Sequence, residues 1–166
     1  MEDIKVRSLD EKDKEWLKRL IISEWASIKV ITRGKVHYVD KLPGYIALQD
    51  DEKVGLITYR ISNDECEIIT LNSLKNNIGI GTALLEELEN YVSSIGCKRL
   101  WVITTNDNTD ALRFYQLKGF RIKAIHVDSI KEARKLKPEI PLLGVNDIEI
   151  LDEIELEKIL KEKNNG

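Results

Sequence analysis

The chain has 166 residues, 42% hydrophobic and 33% charged, which suits one folded domain and excludes a disordered or collagen-like chain. With 26 Lys and Arg against 29 Asp and Glu, the formal net charge is −3. No surplus of cations exists to make nucleic acid the main partner.

Residues 1–16 are charged and hold no apolar core of a signal peptide, and no apolar run approaches the roughly 18 residues of a membrane span. A cytoplasmic protein without a membrane partner is therefore expected. Residues 4–9 read as a first strand, and Asp10 as the N-cap of a helix with acids in its first turn. Trp16, Leu17, Leu20, Ile21 and Trp25 recur at helical spacing, so this helix buries one face. Residues 27–43 show no dominant period and are expected to be mostly loop, with room for a short helix. Residues 45–48 and 54–61 flank a polar turn and read as a hairpin, and residues 67–71 as a β-branched strand. Cys66 and Cys97 lie far apart without metal-type spacing and are expected in the core.

Leu84, Leu85, Leu88, Tyr91, Val92 and Ile95 form the stripe of a long helix, closed by Gly96. Residues 100–104 are an apolar run of the kind covered on both faces, residues 111–117 suit a short helix ending at Gly119, and residues 120–127 read as a strand. Ser129 and Glu132 have capping-box spacing for a helix that stops before Pro138. Ile148, Ile150, Ile154 and Leu156 alternate and predict a last strand, although Leu151, Ile154 and Lys158 also share a helical face. The order predicts an α/β (α+β) fold with helices on both faces of a central sheet. No linker or repeat interrupts it, so residues 1–166 are expected to form a single domain.

The most informative stretch is residues 71–85, where a strand enters a polar turn, then Gly79-Ile80-Gly81, then the amphipathic helix. The first N–H groups of a helix lack intrahelical partners and carry partial positive charge, and glycine lets a phosphate approach them. A dinucleotide fingerprint would need glycine where Leu84 stands, and a Walker loop would need Lys after Gly81, where Thr82 stands. Neither fits. A tight turn without ligand is the competing reading of the glycines alone.

Downstream, residues 108–120 read N-x-x-A-x-x-F-Y-x-x-x-G-F, carried by Asn108, Ala111, Phe114, Tyr115, Gly119 and Phe120. Together with Gly79 and Gly81 at the head of the long helix, this resembles the GNAT acetyltransferase superfamily, over residues 4–127 in element order. Segments such as residues 42–44, 55–60 and 135–141 are also similar to an uncharacterised bacterial branch of it. Asn76 departs from the resemblance, standing where Arg or Gln is usual.

The resemblance implies a mixed, mostly antiparallel sheet with a splayed strand pair that takes acetyl-CoA. It places the cofactor on Leu71, Asn72 and Ser73 of the strand, on Asn76, Asn77, Ile78, Gly79, Ile80, Gly81 and Thr82 of the turn, and on Asn106, Asn108, Ala111, Phe114 and Tyr115. Asn108 serves equally as a helix N-cap. Tyr115 matches the acid that protonates the leaving thiolate, and Glu67 a position where some members carry a base; a solvated strand-end charge is the alternative for Glu67. His37 and His126 are read as packing or surface residues. Trp25, Arg33, Tyr45 and Tyr59 are acceptor-pocket candidates by position, Trp25 being expected rather in the core. The implied partner is a small-molecule or protein amine, and both monomer and homodimer remain open. An acyl-CoA-binding regulatory module without turnover is the alternative function, motivated by Asn76.

Overall fold

A computed structural model describes residues 3–76 and 78–161. In chain order its elements are β1 (Lys5–Ser8), α1 (Lys14–Trp25), β2 (Lys29–Thr32), β3 (Lys35–Tyr38), β4 (Gly44–Gln49), β5 (Glu52–Ser62) and β6 (Glu65–Ser73). There follow α2 (Ile80–Ser94), β7 (Arg99–Thr105), α3 (Thr109–Leu117), β8 (Arg121–His126), α4 (Ser129–Leu136) and β9 (Glu153–Ile159). Seven strands form one sheet in the order β1-β4-β5-β6-β7-β9-β8, antiparallel throughout except for the β6–β7 pair. Among the described residues no helix is long and apolar enough to cross a membrane.

Both faces of the sheet are covered. The stripe Ile80, Leu84, Leu85, Leu88 and Val92 of α2 is buried in one core cluster, which also takes Tyr45, Ile57, Ile68 and Leu100 from the strands. Leu17, Leu20 and Ile21 of α1 are buried in a second cluster, with Ile46, Leu56 and Ile69. Neighbouring residues of one strand thus serve opposite cores, which is why these strands read as continuous apolar runs. Helix ends are fixed by local chemistry. Gly96 and Gly119 lie in the left-handed region after α2 and α3. In both cases the glycine N–H and the next N–H bond back to the last turn, Gly96 to Ser93 and Cys97 to Val92, Gly119 to Gln116 and Phe120 to Tyr115.

Three expectations are corrected. Residues 27–43 are not mostly loop: β2 and β3 pair as an antiparallel hairpin around Arg33 and Gly34, and only residues 39–41 form a short 3-10 turn. The β-branched run Val30-Ile31-Thr32 favours a strand, and Gly34 with Arg33 supplies positive φ for the turn. Ser129 does not cap α4. Asp128 is the N-cap, Ser129 is already helical with no partner for its hydroxyl, and Glu132 bonds Lys135 instead. The last strand begins at Glu153 rather than near Ile148; before it, residues 148–152 make only the isolated bridge Leu143↔Glu149.

The feature that positions the site is the β6–β7 pair. Their parallel register runs from Glu65↔Arg99 to Ile68↔Val102 and then stops. Past that point β6 stays bonded to β5 as far as Ser73↔Gly55, and β7 to β9 as far as Thr105↔Glu153. Ile69 is an extra residue in β6, since Thr58 faces Thr70 while Tyr59 faces Ile68. Such a bulge bends the strand and increases its twist. The two strands therefore part.

Gly55 holds α2 close to this region. A Cβ there would overlap Ile80 Cγ2 and press on Leu84 Cδ1 and Asn72 O, each 3.1 Å away. Gly55→Ala should therefore destabilise the fold by about 1–3 kcal/mol, lowering the melting temperature by about 2–4 °C per kcal/mol. Thermal unfolding by circular dichroism reads this directly, and an unchanged midpoint would show that α2 is not packed against β5 as described.

Candidate active site

The gap between the parted strands opens into a cavity of about 910 Å³. Leu71, Asn72 and Ser73 of β6 line it together with Ile103, Thr104 and Thr105 of β7. The remainder of the wall includes the end of α1 at Trp25, Thr32 of β2, and parts of the segment between α4 and β9. Trp25 is 38% exposed, so it is a cavity wall and not a core residue. Tyr45 and Tyr59 are instead buried and stacked on each other in the α2-side core. Arg33 sits in the β2–β3 turn with its guanidinium on Glu155.

The N-terminus of α2 follows β6 after a short turn. Gly79 is its N-cap, with φ 82°, and gives no side-chain cap. Ala83 N–H donates to Gly79 O, so the amides of Ile80, Gly81 and Thr82 precede the helical ladder. No acidic residue in the first turn offsets the positive end of the helix dipole. A Cβ on Gly79 would meet nothing within 4 Å, whereas one on Gly81 would touch the Phe114 ring at 3.4 Å. Gly79 thus leaves open space, while α3 closes over Gly81. Asn76 and Ile78 are exposed beside this turn, and Ile80 buries its side chain, leaving only its backbone available. Asn77 lies outside the described residues.

Glu67 is not a solvated strand end; it is 3% exposed. The Thr32 hydroxyl donates to Glu67 Oε2 at 2.8 Å and lies 2.7 Å from His37 Nε2. A hydroxyl has one proton, so with that proton given to Glu67, His37 carries its own on Nε2 and donates to Thr32. Burial raises the pKa of Glu67, against the Thr32 hydrogen bond and the nearby cations Arg60, Lys35 and Arg33. Burial, with Arg60 and Lys35, pushes His37 down to about 4, so the ring is neutral. Thr32 lines the large cavity, and Glu67 lines a smaller one of about 280 Å³ with Arg60 and Trp101. Glu67 therefore communicates with the large cavity through one hydroxyl.

On α3, Tyr115 is buried, its ring 5.2 Å from those of Phe114 and Phe120 in edge contacts. Burial raises its pKa, so the phenol keeps its proton at neutral pH. Asn108 caps α3, its Oδ1 accepting from Ala111 N–H at 3.1 Å. The Asn106 side chain is committed elsewhere: its Oδ1 accepts from Leu151 and Asp152 N–H, and its Nδ2 donates to Glu149 O. Asn106 thereby ties the segment before β9 to the end of β7. Burial also raises both thiols, which sit in the core as expected.

Residues 8–120 match the model of the Acetyltransferase (GNAT) family. The chain belongs to that family. It is 47% identical over 138 residues to the uncharacterized Bacillus subtilis protein YxbD, covering 82% of this chain and 87% of YxbD. It is 38% identical over 148 residues to the uncharacterized B. subtilis protein YdhI, covering 89% and 92%. In fold it matches a B. subtilis acetyltransferase solved in complex with CoA, with a TM-score of 0.72 at 20% identity, over 96% of this chain and 100% of that one.

For a GNAT acetyltransferase, the parted strands and the glycine-led helix are the parts the motifs pointed to. Thr32, Asp107 and Glu153 were missed. Thr32 belongs to a segment read as loop, so nothing placed it beside Glu67. Asp107 stands just before the residues 108–120 motif, and its spacing carries no signal of burial. Glu153 heads a strand whose start was misread.

The buried histidine makes stability depend on pH. Its folded pKa of about 4 lies below the ordinary value of 6.5. A depressed folded value gives stability that is present above the unfolded pKa and lost as pH falls through the folded one, here about 3 kcal/mol in full. His37→Gln removes this component, while Glu67 titrates in both proteins. The stability advantage of wild type over the variant should therefore shrink between neutral pH and the low end of that window. Urea melts across that range check it; a constant difference would mean that His37 is not held neutral.

Proposed function

We propose that the chain transfers the acetyl group of acetyl-CoA to a primary amine of a small molecule or protein, the bound amine attacking directly. The observation that supports this best is the gap between β6 and β7, opening beside a helix N-terminus whose first amides make no hydrogen bond among the described residues and whose cap is glycine. The diphosphate suits the amides of residues 79–82, with Asn76 and Ile78 exposed beside them. The arm suits the unpaired edge at Leu71, Asn72 and Ser73, flanked by Asn108, Ala111 and Phe114. Asn72 lines the same cavity, and its Oδ1 is buried without a hydrogen-bond partner among the described residues. The B. subtilis acetyltransferase of like fold holds CoA, in keeping with this assignment.

Bound there, the donor supplies an activated thioester carbonyl. The amine must lose a proton to attack, and Glu67 takes it through Thr32, with a carboxylate made more basic by burial. His37 positions Thr32 from the other side. Tyr115 retains a proton that the departing thiolate can accept. An amide of β6 near Leu71 faces the carbonyl oxygen; one such donor is worth about 3 kcal/mol.

Acetyl-CoA at about 100 times its Kd should stabilise the protein by about 2.7 kcal/mol in a thermal shift. Gly81→Val, which forces a branched side chain between the helix N-terminus and Phe114, should abolish that shift. A folded Gly81→Val protein that binds normally would mean that the diphosphate lies elsewhere. Release of free CoA in the presence of an amine separates turnover from the regulatory alternative that Asn76 motivates.

Tyr115→Phe should lower kcat about ten- to a thousandfold, leaving acetyl-CoA binding nearly unchanged. The phenol is buried among aromatics, so the variant keeps the packing. Unaltered turnover, measured by thiol release, would remove Tyr115 from the chemistry.

A further inference from the structure

Two buried carboxylates belong to the cavity wall, each with one oxygen unsatisfied among the described residues. Glu153 is 1% exposed and Asp107 4% exposed, and both line the cavity. Each uses one oxygen structurally: Glu153 Oε2 accepts Arg33 N–H at 3.1 Å, and Asp107 Oδ2 accepts Val145 N–H at 3.0 Å. These bonds tie the β2–β3 turn and the segment before β9 to the sheet, and they fix the carboxylates in place. Glu153 Oε1 and Asp107 Oδ1 are buried and have no hydrogen-bond partner among the described residues. A buried acceptor left unpaired costs free energy, which an entering donor recovers.

The charge of the wall says what kind of donor fits. Among the described residues lining the cavity, the carboxylates Glu24, Asp107, Asp110, Glu139 and Glu153 stand against one ammonium, Lys137. Trp25 adds an indole face, which attracts cations. The attacking amine itself must be neutral, so it is not the lasting partner of these carboxylates.

We propose that the acceptor carries a second positive group besides the amine that is acetylated, and that Glu153 and Asp107 hold that group. This rests on the reading of the cavity as the acceptor site. A diamine, or a molecule with a basic side chain beside its primary amine, has the required chemistry: N–H donors for both free oxygens and a charge opposite to the wall.

The test compares linear alkyl diamines with monoamines of the same chain length, titrated by calorimetry into CoA-saturated protein. Wild type should bind the best diamine at least about tenfold more tightly than its monoamine. Glu153→Gln and Asp107→Asn keep an acceptor for the Arg33 and Val145 amides and remove the charge. Each should reduce the preference to about threefold or less, with acetyl-CoA affinity unchanged. Equal affinity for diamine and monoamine, no binding of any diamine, or folded variants that retain the full preference would each overturn the proposal. If a variant fails to fold, the wild-type comparison alone decides. The CoA-release assay keeps the two readings apart. Diamines that bind preferentially but release no CoA refute the transferase reading and leave the cation site standing; release with monoamines and diamines at equal affinity does the reverse.

Discussion

The fold turns on the loss of hydrogen bonding between β6 and β7 after Ile68 and Val102. Parallel strands normally stay paired because each backbone amide and carbonyl needs a partner. Here each strand is held by its outer neighbour, β5 or β9, over the full length of the parted segment. The extra residue at Ile69 steers β6 away, and the β7–β9 ladder prevents β7 from following. The inner edges are left facing a cavity, where an extended ligand or water can take the bonds that a strand would have made. Two consequences follow. The gap is rigid, because both of its sides belong to a continuous sheet with a covered core on each face. It is also reached from both faces, since α2 begins on one side and the β2–β3 hairpin lies on the other.

The bulge also assigns chemistry to faces. Ile68 and Leu71 belong with the core under α2, whereas Ile69 belongs with the cluster under α1. Glu67 lies on the side of the hairpin, where Thr32 and His37 meet it. An acid buried to 3% exposure would be costly alone. The Thr32 hydroxyl and the field of Arg60 and Lys35 offset part of that cost without abolishing it, which leaves the group more basic than a surface carboxylate. The same two cations and the same burial drive His37 the opposite way. One environment thus yields a basic carboxylate and a neutral imidazole joined by a hydroxyl.

The parts legible in the sequence were those whose signal is local. The helical stripe from Leu84 to Val92, the glycines ending α2 and α3, and the residues 108–120 motif each report on chemistry within a few positions. Asn108 as a cap and Gly79 as part of a tight turn into the helix are of this kind. What escaped depends on tertiary pairing. The hairpin of β2 and β3 is short, carries Lys at the head of both strands, and reads as polar until Thr32 and His37 are seen buried against Glu67. The alternation of Ile148 and Ile150 looked like a strand, but Asn106 and Asp107 hold that segment by side-chain bonds, which no periodicity announces. Ser129 had the right spacing for a cap, yet the left-handed Asp128 starts the helix one residue too early for it. The asparagine at 106 is similar: the motif brought it to notice, and only its partners show that its amide is engaged with the backbone.

The distribution of charge around the gap is asymmetric. At the head of α2 the field is positive: amides without a partner among the described residues, a glycine cap and no acid in the first turn. Along the cavity wall formed by residues 107–110 and 139–153 it is negative, with carboxylates outnumbering the single Lys137. On the proposed function, an anionic diphosphate would be drawn to the first region and repelled from the second, and a cationic acceptor the other way. On that reading the reacting groups would meet near Ile69, Leu71 and Ile103, apolar residues of the same cavity, where the local dielectric is low and a fixed amide or hydroxyl acts most strongly. A surface of the same net charge with its acids and bases mixed would bind either molecule in either place. Separating the signs along one gap would give each proposed substrate one end of it, and leave the apolar middle for the bond that is made.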